Sequence, residues 1–155
     1  MFLLKSYPPL ALVINAFKSR GARVFLVGGA LRDYFLNRQG TDLDFAVDKN
    51  AIFLSRQFAK QIKGAFVLLD GEHGSARVVK KIDGVIWTFD FTDWRGKTIQ
   101  QDLALRDFTI NAFALDILDP KASERSVLGM KNSIKDNPNK EKNETNLLKQ
   151  PHQDN

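Results

Sequence analysis

Short apolar runs that alternate with amphipathic runs are the feature that most constrains the fold of this chain. The runs RVFLVG (23–28), DLDFAV (42–47) and AFVLLD (65–70) have the length and composition of strands. The amphipathic runs over residues 9–21, 30–37 and 50–64 carry apolar side chains at helical spacing. Because helices that alternate with strands pack on the faces of a sheet, this order predicts an α/β or α+β domain with one mixed sheet.

The ends and buried faces of the predicted helices follow from the same pattern. Pro9 opens the first helix, and Gly21 closes it. The second helix is expected to pack through Leu31, Phe35 and Leu36, and the third through Ile52, Phe53, Leu54 and Phe58. Residues 75–83 and 84–94 predict two more strands, and residues 103–117 predict a helix that runs into a last strand.

Composition divides the chain near Pro120. The 155 residues include no cysteine, which excludes a disulfide framework and a thiolate metal site. Residues 121–155 hold few apolar side chains, no aromatic ones and many Lys, Asn and Glu, so they cannot bury enough surface to offset their ordering entropy. We therefore predict a folded domain over residues 1–119 and a disordered tail over 120–155, with a short helical turn near 126–134.

Charge and the N-terminal segment indicate partners and location. The net charge of +5 suits a polyanionic partner such as RNA, although many basic proteins bind none. Lys5 and the pair Pro8 and Pro9 interrupt the apolar N-terminal segment, which reads neither as a signal peptide nor as a membrane span. The sequence thus predicts a cytoplasmic protein without a membrane partner.

Two acidic residues in the second predicted strand are the first candidates for chemistry. Side chains alternate along a strand, so Asp42 and Asp44 share one face while Leu43 points into the core. Paired carboxylates repel each other unless a cation lies between them, and their oxygens suit Mg²⁺. A third carboxylate is expected from a neighbouring strand, where Asp90 lies between two phenylalanines. The alternative is a solvated strand end that binds no metal.

A glycine pair precedes these acids. Gly28 and Gly29 lie between a strand and a helix, where free backbone N–H groups can receive an anion, and Arg32 lies one turn further on. The alternative is a tight turn with Arg32 as a surface charge. The segment fits neither the G-x-G-x-x-G dinucleotide fingerprint nor a Walker loop.

Three motifs together carry a family resemblance. LVGGALRD, TDLDFAV and DLALRDFTINAFALDI, in this order and spacing, resemble the head domain of class II CCA-adding tRNA nucleotidyltransferases and bacterial poly(A) polymerases. That family has a Gly-Gly-x-x-Arg-Asp turn, an Asp-x-Asp strand and an Arg-Arg-Asp-x-x-x-Asn-Ala motif. FDFTDWRG also resembles the family's third-carboxylate strand, which supports Asp90 and Arg95. The resemblance covers about residues 24–119.

The resemblance implies a polymerase-β-like nucleotidyltransferase fold and transfer of a nucleoside monophosphate from an NTP (ATP or CTP) to an RNA 3′ end, that of tRNA above all. It implies two Mg²⁺ ions on Asp42 and Asp44, with Asp90 as the third carboxylate. It also implies triphosphate contacts from Gly29 and Arg32, with Gly28 shaping the turn. Arg106 and Asp107 would touch the nucleotide, and Asn111 would brace that contact.

Two departures from the family pattern leave alternatives open. Leu105 stands where the family has the first Arg of its third motif, and no counterpart of the family's base-reading neck is visible in residues 1–155. The chain is therefore either an active head, alone or completed by a separate neck and body chain, or a truncated NTP- and RNA-binding remnant with little or no activity. A basic RNA-binding module that kept only the fold is the third reading. His73, Trp87 and Trp94 are interpreted as loop and packing residues.

Overall fold

The computed structural model describes residues 2–105, 113–123 and 126–128. After a short 3-10 helix (Phe2–Leu4), the helices are α1 (Leu10–Phe17), α2 (Gly29–Phe35), α3 (Ala51–Ile62) and α4 (Ile99–Ala104). The strands are β1 (Val24–Val27), β2 (Asp42–Val47), β3 (Ala65–Asp70), β4 (Ser75–Ile82), β5 (Val85–Asp93) and β6 (Ala114–Asp116).

One mixed sheet organises these strands, in the order β3-β4-β5-β2-β1-β6. The strands β2 and β5 run parallel, and the other neighbouring pairs are antiparallel. Asp83 and Gly84 join β4 to β5 with positive φ angles of 49° and 83°, as a tight two-residue hairpin turn requires. The predicted α/β class with a mixed sheet is confirmed.

The main core lies between one face of this sheet and the helices α1, α2 and α3. Its centre is aromatic. The ring of Phe91 on β5 stacks on Phe45 at 4.9 Å and on Phe17 at 5.5 Å between centroids, and Phe58 of α3 lies at 5.6 Å with its ring tilted by 67°. All four side chains are fully buried, so aromatic packing forms the centre of this face of the sheet.

The opposite face of the sheet is covered only in part. There, Ile99 and Leu103 of α4 pack against Phe25 and Val27 of β1 and Ala46 of the adjacent strand β2. This smaller core ends where the side chains of β2 become acidic, and it therefore leaves the start of β2 and the adjoining part of β5 on a polar surface.

The start of α4 differs from the prediction, which placed it near Leu103. The helix begins at Ile99, because the hydroxyl of Thr98 accepts a hydrogen bond from the backbone N–H of Gln101 at 3.2 Å. The side chain of Gln101 in turn accepts from the N–H of Lys97 at 2.8 Å. These two bonds tie Gln101 to residues 97 and 98 and fix a helix start that the apolar spacing alone does not show.

The prediction of burial is wrong for two residues, Leu36 and Phe53. Leu36 is 52% exposed because α2 ends at Phe35, before the helix would carry Leu36 over the core. Phe53 is 59% exposed because it lies one position before Leu54, about 100° around the helix from the stripe formed by Leu54 and Phe58. Leu31, Leu54 and Phe58 are buried as predicted.

The core also reaches a segment beyond residue 119. Val127 is buried in the main core, and the backbone of Leu128 exchanges hydrogen bonds with Ala114 of β6 at 3.2 and 2.8 Å. The apolar pair in the sequence SVLG thus adds to the fold next to β6. For residues 129–155, which lie outside the described part of the chain, the tail remains a prediction.

Candidate functional site

Asp42 and Asp44 lie on the partly covered face of the sheet. Both belong to β2, in which Leu43 and Phe45 are buried on the opposite face. Asp42 is exposed and Asp44 is partly buried. The alternation of the strand therefore places the two carboxylates on the same side, next to each other.

Asp90 lies on the adjacent parallel strand, directly opposite Asp44 in the register of β2 and β5. Its neighbours Phe89 and Phe91 are fully buried, so Asp90 points to the same face as the two β2 carboxylates. Two residues earlier in each strand, Thr88 lies opposite Asp42, and the Thr88 hydroxyl donates a hydrogen bond to Asp42 Oδ1. The sheet thus brings the three predicted acidic residues together on one surface.

A residue that the sequence reasoning missed, Arg77, binds the third of these acids. Arg77 lies on β4 opposite Asp90, and its Nε and Nη2 donate to Asp90 Oδ1 and Oδ2, both at 2.7 Å. The pKa of Arg77 is raised, first by its hydrogen bonds and charge interaction with Asp90 and less by the charges of Asp42 and Asp44. Arg77 therefore stays protonated beside the acidic cluster of Asp42, Asp44 and Asp90.

The glycine turn lies against the same cluster. Gly28 has φ of 71° and ψ of −143°, a backbone conformation that residues with a Cβ atom disfavour. A Cβ atom placed on Gly28 would lie only 2.8 Å from Asp44 Oδ2. Gly28 is thus required twice, by its backbone conformation and by the close approach of the Asp44 carboxylate. At Gly29 a Cβ would meet only the end of the Arg32 side chain, at 3.3 Å.

Arg32 is held by its neighbour in α2. Its Nε donates to Asp33 Oδ1 at 2.9 Å, and this hydrogen bond and the charge of Asp33 raise the pKa of Arg32. The buried hydroxyl of Tyr7 donates to the carbonyl oxygen of Ala30 at 3.0 Å, which ties the first turn of α2 to the N-terminal segment. Burial, and less the charge of Asp33, raises the pKa of Tyr7 and keeps it a donor.

Arg95 lies after β5 and is anchored to α4. Its backbone N–H donates to Oδ1 of the fully buried Asp102 at 3.2 Å, and its Nη1 approaches the carbonyl oxygen of Leu105 at 3.5 Å. Arg106, Asp107 and Asn111, which the sequence assigned to nucleotide contacts, lie outside the described residues. Their roles stay predictions.

The donor set can be tested against a divalent metal. Asp42 and Asp44 provide carboxylate oxygens on one face, the ligands that Mg²⁺ prefers. Both oxygens of Asp90, however, are bonded to Arg77. Within the described ranges, no three acidic or histidine side chains are close enough to hold one ion together. The β2 pair therefore fits a magnesium ion, whereas Asp90 does not join it in this arrangement.

The residues interpreted as non-catalytic have structural contacts. His73 lies in the turn between β3 and β4, and its Nδ1 is 2.8 Å from Asp70 Oδ2. Trp87 meets the ring of Tyr7 edge-on at 6.5 Å, and Trp94 meets Phe25 at 5.7 Å. In the part of the chain that the structure describes, no helix has the length and apolar character to span a bilayer.

Comparison with known proteins points to one family. Residues 24–140 match the family model of the poly A polymerase head domain. A CC-adding tRNA nucleotidyltransferase of Geobacter sulfurreducens is 42% identical over 120 residues, which cover 74% of this chain and 27% of that protein. A second one, of Synechocystis sp., is 40% identical over 104 residues, with 63% and 24% covered. The chain thus spans about a quarter of the length of these curated relatives.

Solved structures give the same picture. A tRNA nucleotidyltransferase complexed with a primer tRNA and an incoming ATP analog is 33% identical, with a TM-score of 0.58, and covers 68% of this chain and 31% of its own. A CCA-adding enzyme with ATP is 29% identical, with a TM-score of 0.65, and covers 77% and 30%. The residues 24–140 that match the family model include β1, α2, β2 and β5. These elements carry Asp42, Asp44, Asp90 and the glycine turn, which together form the acidic face of the sheet.

Proposed function

Because this chain belongs to the poly A polymerase head domain family, we propose that it is the nucleotidyltransferase head of an RNA-processing enzyme. The proposed reaction transfers a nucleoside monophosphate from an NTP, ATP or CTP, to the 3′ end of an RNA. The names of the similar proteins favour tRNA as that RNA. A cytoplasmic location, expected from the sequence, accompanies this proposal.

One observation carries the proposal: the acidic pair of β2 and the glycine turn before α2 form a single surface. Gly28 and Asp44 are so close that no side chain fits between them. A triphosphate held at the turn would therefore lie within reach of a metal held by Asp42 and Asp44. This juxtaposition of an anion site with a cation site is what nucleotidyl transfer requires.

The reaction forms a bond between the RNA 3′-hydroxyl oxygen and the α-phosphorus of the NTP. The bond from that phosphorus to the bridging oxygen of the β-phosphate breaks, pyrophosphate leaves, and the hydroxyl proton is released. Nucleotidyltransferases of this family generally use divalent metals, which neutralise the phosphate charge when bound. That two ions bind here is part of the proposal.

The chain's own residues have distinct roles in this scheme. Asp42 and Asp44 would hold the metal, with Thr88 orienting Asp42 through its hydroxyl. The backbone of Gly29 and the guanidinium of Arg32 would bind the triphosphate, and Asp33 keeps Arg32 in place. Arg106, Asp107 and Asn111 would contact the nucleotide, as the family resemblance implies.

Nucleotide incorporation by the 155-residue chain tests this function. The chain is incubated with Mg²⁺, each α-labelled NTP in turn, and a tRNA that lacks its 3′-terminal nucleotides. We expect labelled tRNA that depends on Mg²⁺ and is lost in the D42N/D44N variant. The matched control E72Q/D83N removes two exposed carboxylates elsewhere and should retain the label. Labelling that D42N/D44N leaves unchanged, or no labelling by the parent chain, would contradict the proposal.

Base selection provides a second readout. Contacts to phosphate are the same for all nucleotides, and only hydrogen bonds to a base edge discriminate strongly. The described residues at the acidic face offer phosphate and metal contacts, so we expect the four NTPs to bind within about tenfold of one another, or roughly 1.4 kcal/mol. A clean C-C-A product would show that the chain contains a base-reading site.

A further inference from the structure

The ion pair of Arg77 and Asp90 joins β4 to β5 across the acidic face. Its two parallel hydrogen bonds of 2.7 Å match the guanidinium fork to both carboxylate oxygens. The side chains are 41% and 21% exposed, so water screens the pair only in part. By contrast, Arg23 and Asp116, at the far end of β1, approach through one nitrogen at 3.8 Å and are more exposed.

The position of this pair matters because Asp90 lies beside Asp44 in the sheet register. A cation entering between the β2 carboxylates would meet Asp90 as the nearest additional carboxylate. That carboxylate is turned towards β4 by Arg77. Arg77 also interacts with the negative charges of Asp42 and Asp44, which add to the rise of its pKa. Arg77 and an incoming metal ion would therefore compete for the same negative charge.

We propose that Arg77 is a positioning residue whose two-oxygen bond to Asp90 opposes divalent metal binding at the acidic face and thereby sets its affinity. This inference rests on the proposed function, since it assumes that Asp42 and Asp44 hold a metal. The arginine neutralises part of the acidic cluster in the metal-free protein. Metal binding loosens the fork and makes Asp90 available as a third ligand.

Substitution of Arg77 by lysine separates the fork from the charge. Lysine keeps a positive charge but presents a single ammonium group, so it cannot bond both oxygens in the same planar geometry. Methionine removes the charge as well. If the fork holds Asp90 away from the metal, both variants bind metal more tightly, and R77M binds more tightly than R77K.

The experiment measures Mn²⁺ binding to the full 155-residue chain by the loss of the free-ion electron paramagnetic resonance signal. We expect R77K to bind Mn²⁺ at least about threefold more tightly than the parent chain, the order expected of a half-exposed ion pair. The control R23K changes a cation of the looser pair and should leave the affinity unchanged. An R77K affinity equal to or weaker than that of the parent would overturn the proposal.

The same substitution in a D90N variant shows whether R77K acts through Asp90 or through a change in protein stability. In D90N the carboxylate that Arg77 bonds is absent, so R77K should no longer tighten Mn²⁺ binding; tightening that persists there would also overturn the proposal. The variant D42N/D44N separates this inference from the function itself. If D42N/D44N binds Mn²⁺ like the parent, the proposed metal site fails. If it loses binding while R77K has no effect, only the role of Arg77 fails.

Discussion

The two faces of β2 and β5 differ completely in chemistry although their residues alternate along the same strands. On one face, Phe45 and Phe91 stack in the aromatic core. On the other, one residue away in each strand, Asp44 and Asp90 lie side by side, and Asp44 approaches the glycine turn. The buried face supplies stability and fixes the backbone. The acidic face on the other side can therefore hold like charges close together. Packing on one side thus positions chemistry on the other.

The largest expected effect is on the buried face. Phe91→Ala removes a ring that contacts Phe17, Phe45 and Phe58, and we expect it to lower the free energy of unfolding by about 3–5 kcal/mol. Urea unfolding followed by circular dichroism measures the loss. Phe53→Ala, at a 59% exposed ring, is the control and should cost less than about 1 kcal/mol. Equal losses would mean that the aromatic stack does not carry the stability of this face.

A glycine at the boundary of the acidic face is expected to give the next largest loss of unfolding free energy. Gly28→Ala places a Cβ at a positive φ and 2.8 Å from Asp44 Oδ2, so we expect about 2 kcal/mol or more of destabilisation. Gly21→Ala has a similar φ of 62° but no atom within 4 Å of the added Cβ, and it should cost only about 1 kcal/mol. The difference between the two unfolding free energies measures what is specific to Gly28, which is the contact with Asp44 together with the backbone angle ψ of −143°. If the two costs are the same, that contact is not restrictive.

Val127 tests how far the buried face extends along the chain. Its side chain is buried next to β6, so Val127→Ala should lower the free energy of unfolding by about 1–2 kcal/mol. Val85→Ala makes the same change at a 44% exposed position and should cost about 0.5 kcal/mol or less. Thermal melts of both variants give the comparison. If Val127→Ala leaves the free energy of unfolding unchanged, Val127 does not stabilise the fold, as expected for a folded domain that ends at residue 119.

The sequence allowed several elements to be predicted because their signals are local. The bounds of β2 and β3 follow from short apolar runs between polar residues, and the buried positions of Phe89 and Phe91 follow from alternation around Asp90. The bond between Arg77 and Asp90 was missed, although a signal existed. The turn of Asp83 and Gly84 fixes the register of the hairpin. Counting the same number of residues outward from the turn on both strands pairs Arg77 with Asp90.

Other features depend on contacts between distant parts of the chain. The parallel pairing of β2 with β5, which places Asp44 opposite Asp90, is set by packing across the sheet and leaves no mark in either strand alone. The same holds for Val127, whose burial depends on the position of β6. The approach of Gly28 to Asp44 likewise combines a turn and a strand that the sequence shows only separately.

We propose that the acidic face binds a nucleotide together with a divalent metal through Asp42 and Asp44. The most direct test is the melting temperature of the 155-residue chain with and without ATP and Mg²⁺ together. We predict a rise in the parent chain and in the control E72Q/D83N, because a ligand that binds only the folded state stabilises it. We predict no rise in D42N/D44N. A rise of the same size in D42N/D44N would mean that these two carboxylates do not bind the metal and its nucleotide.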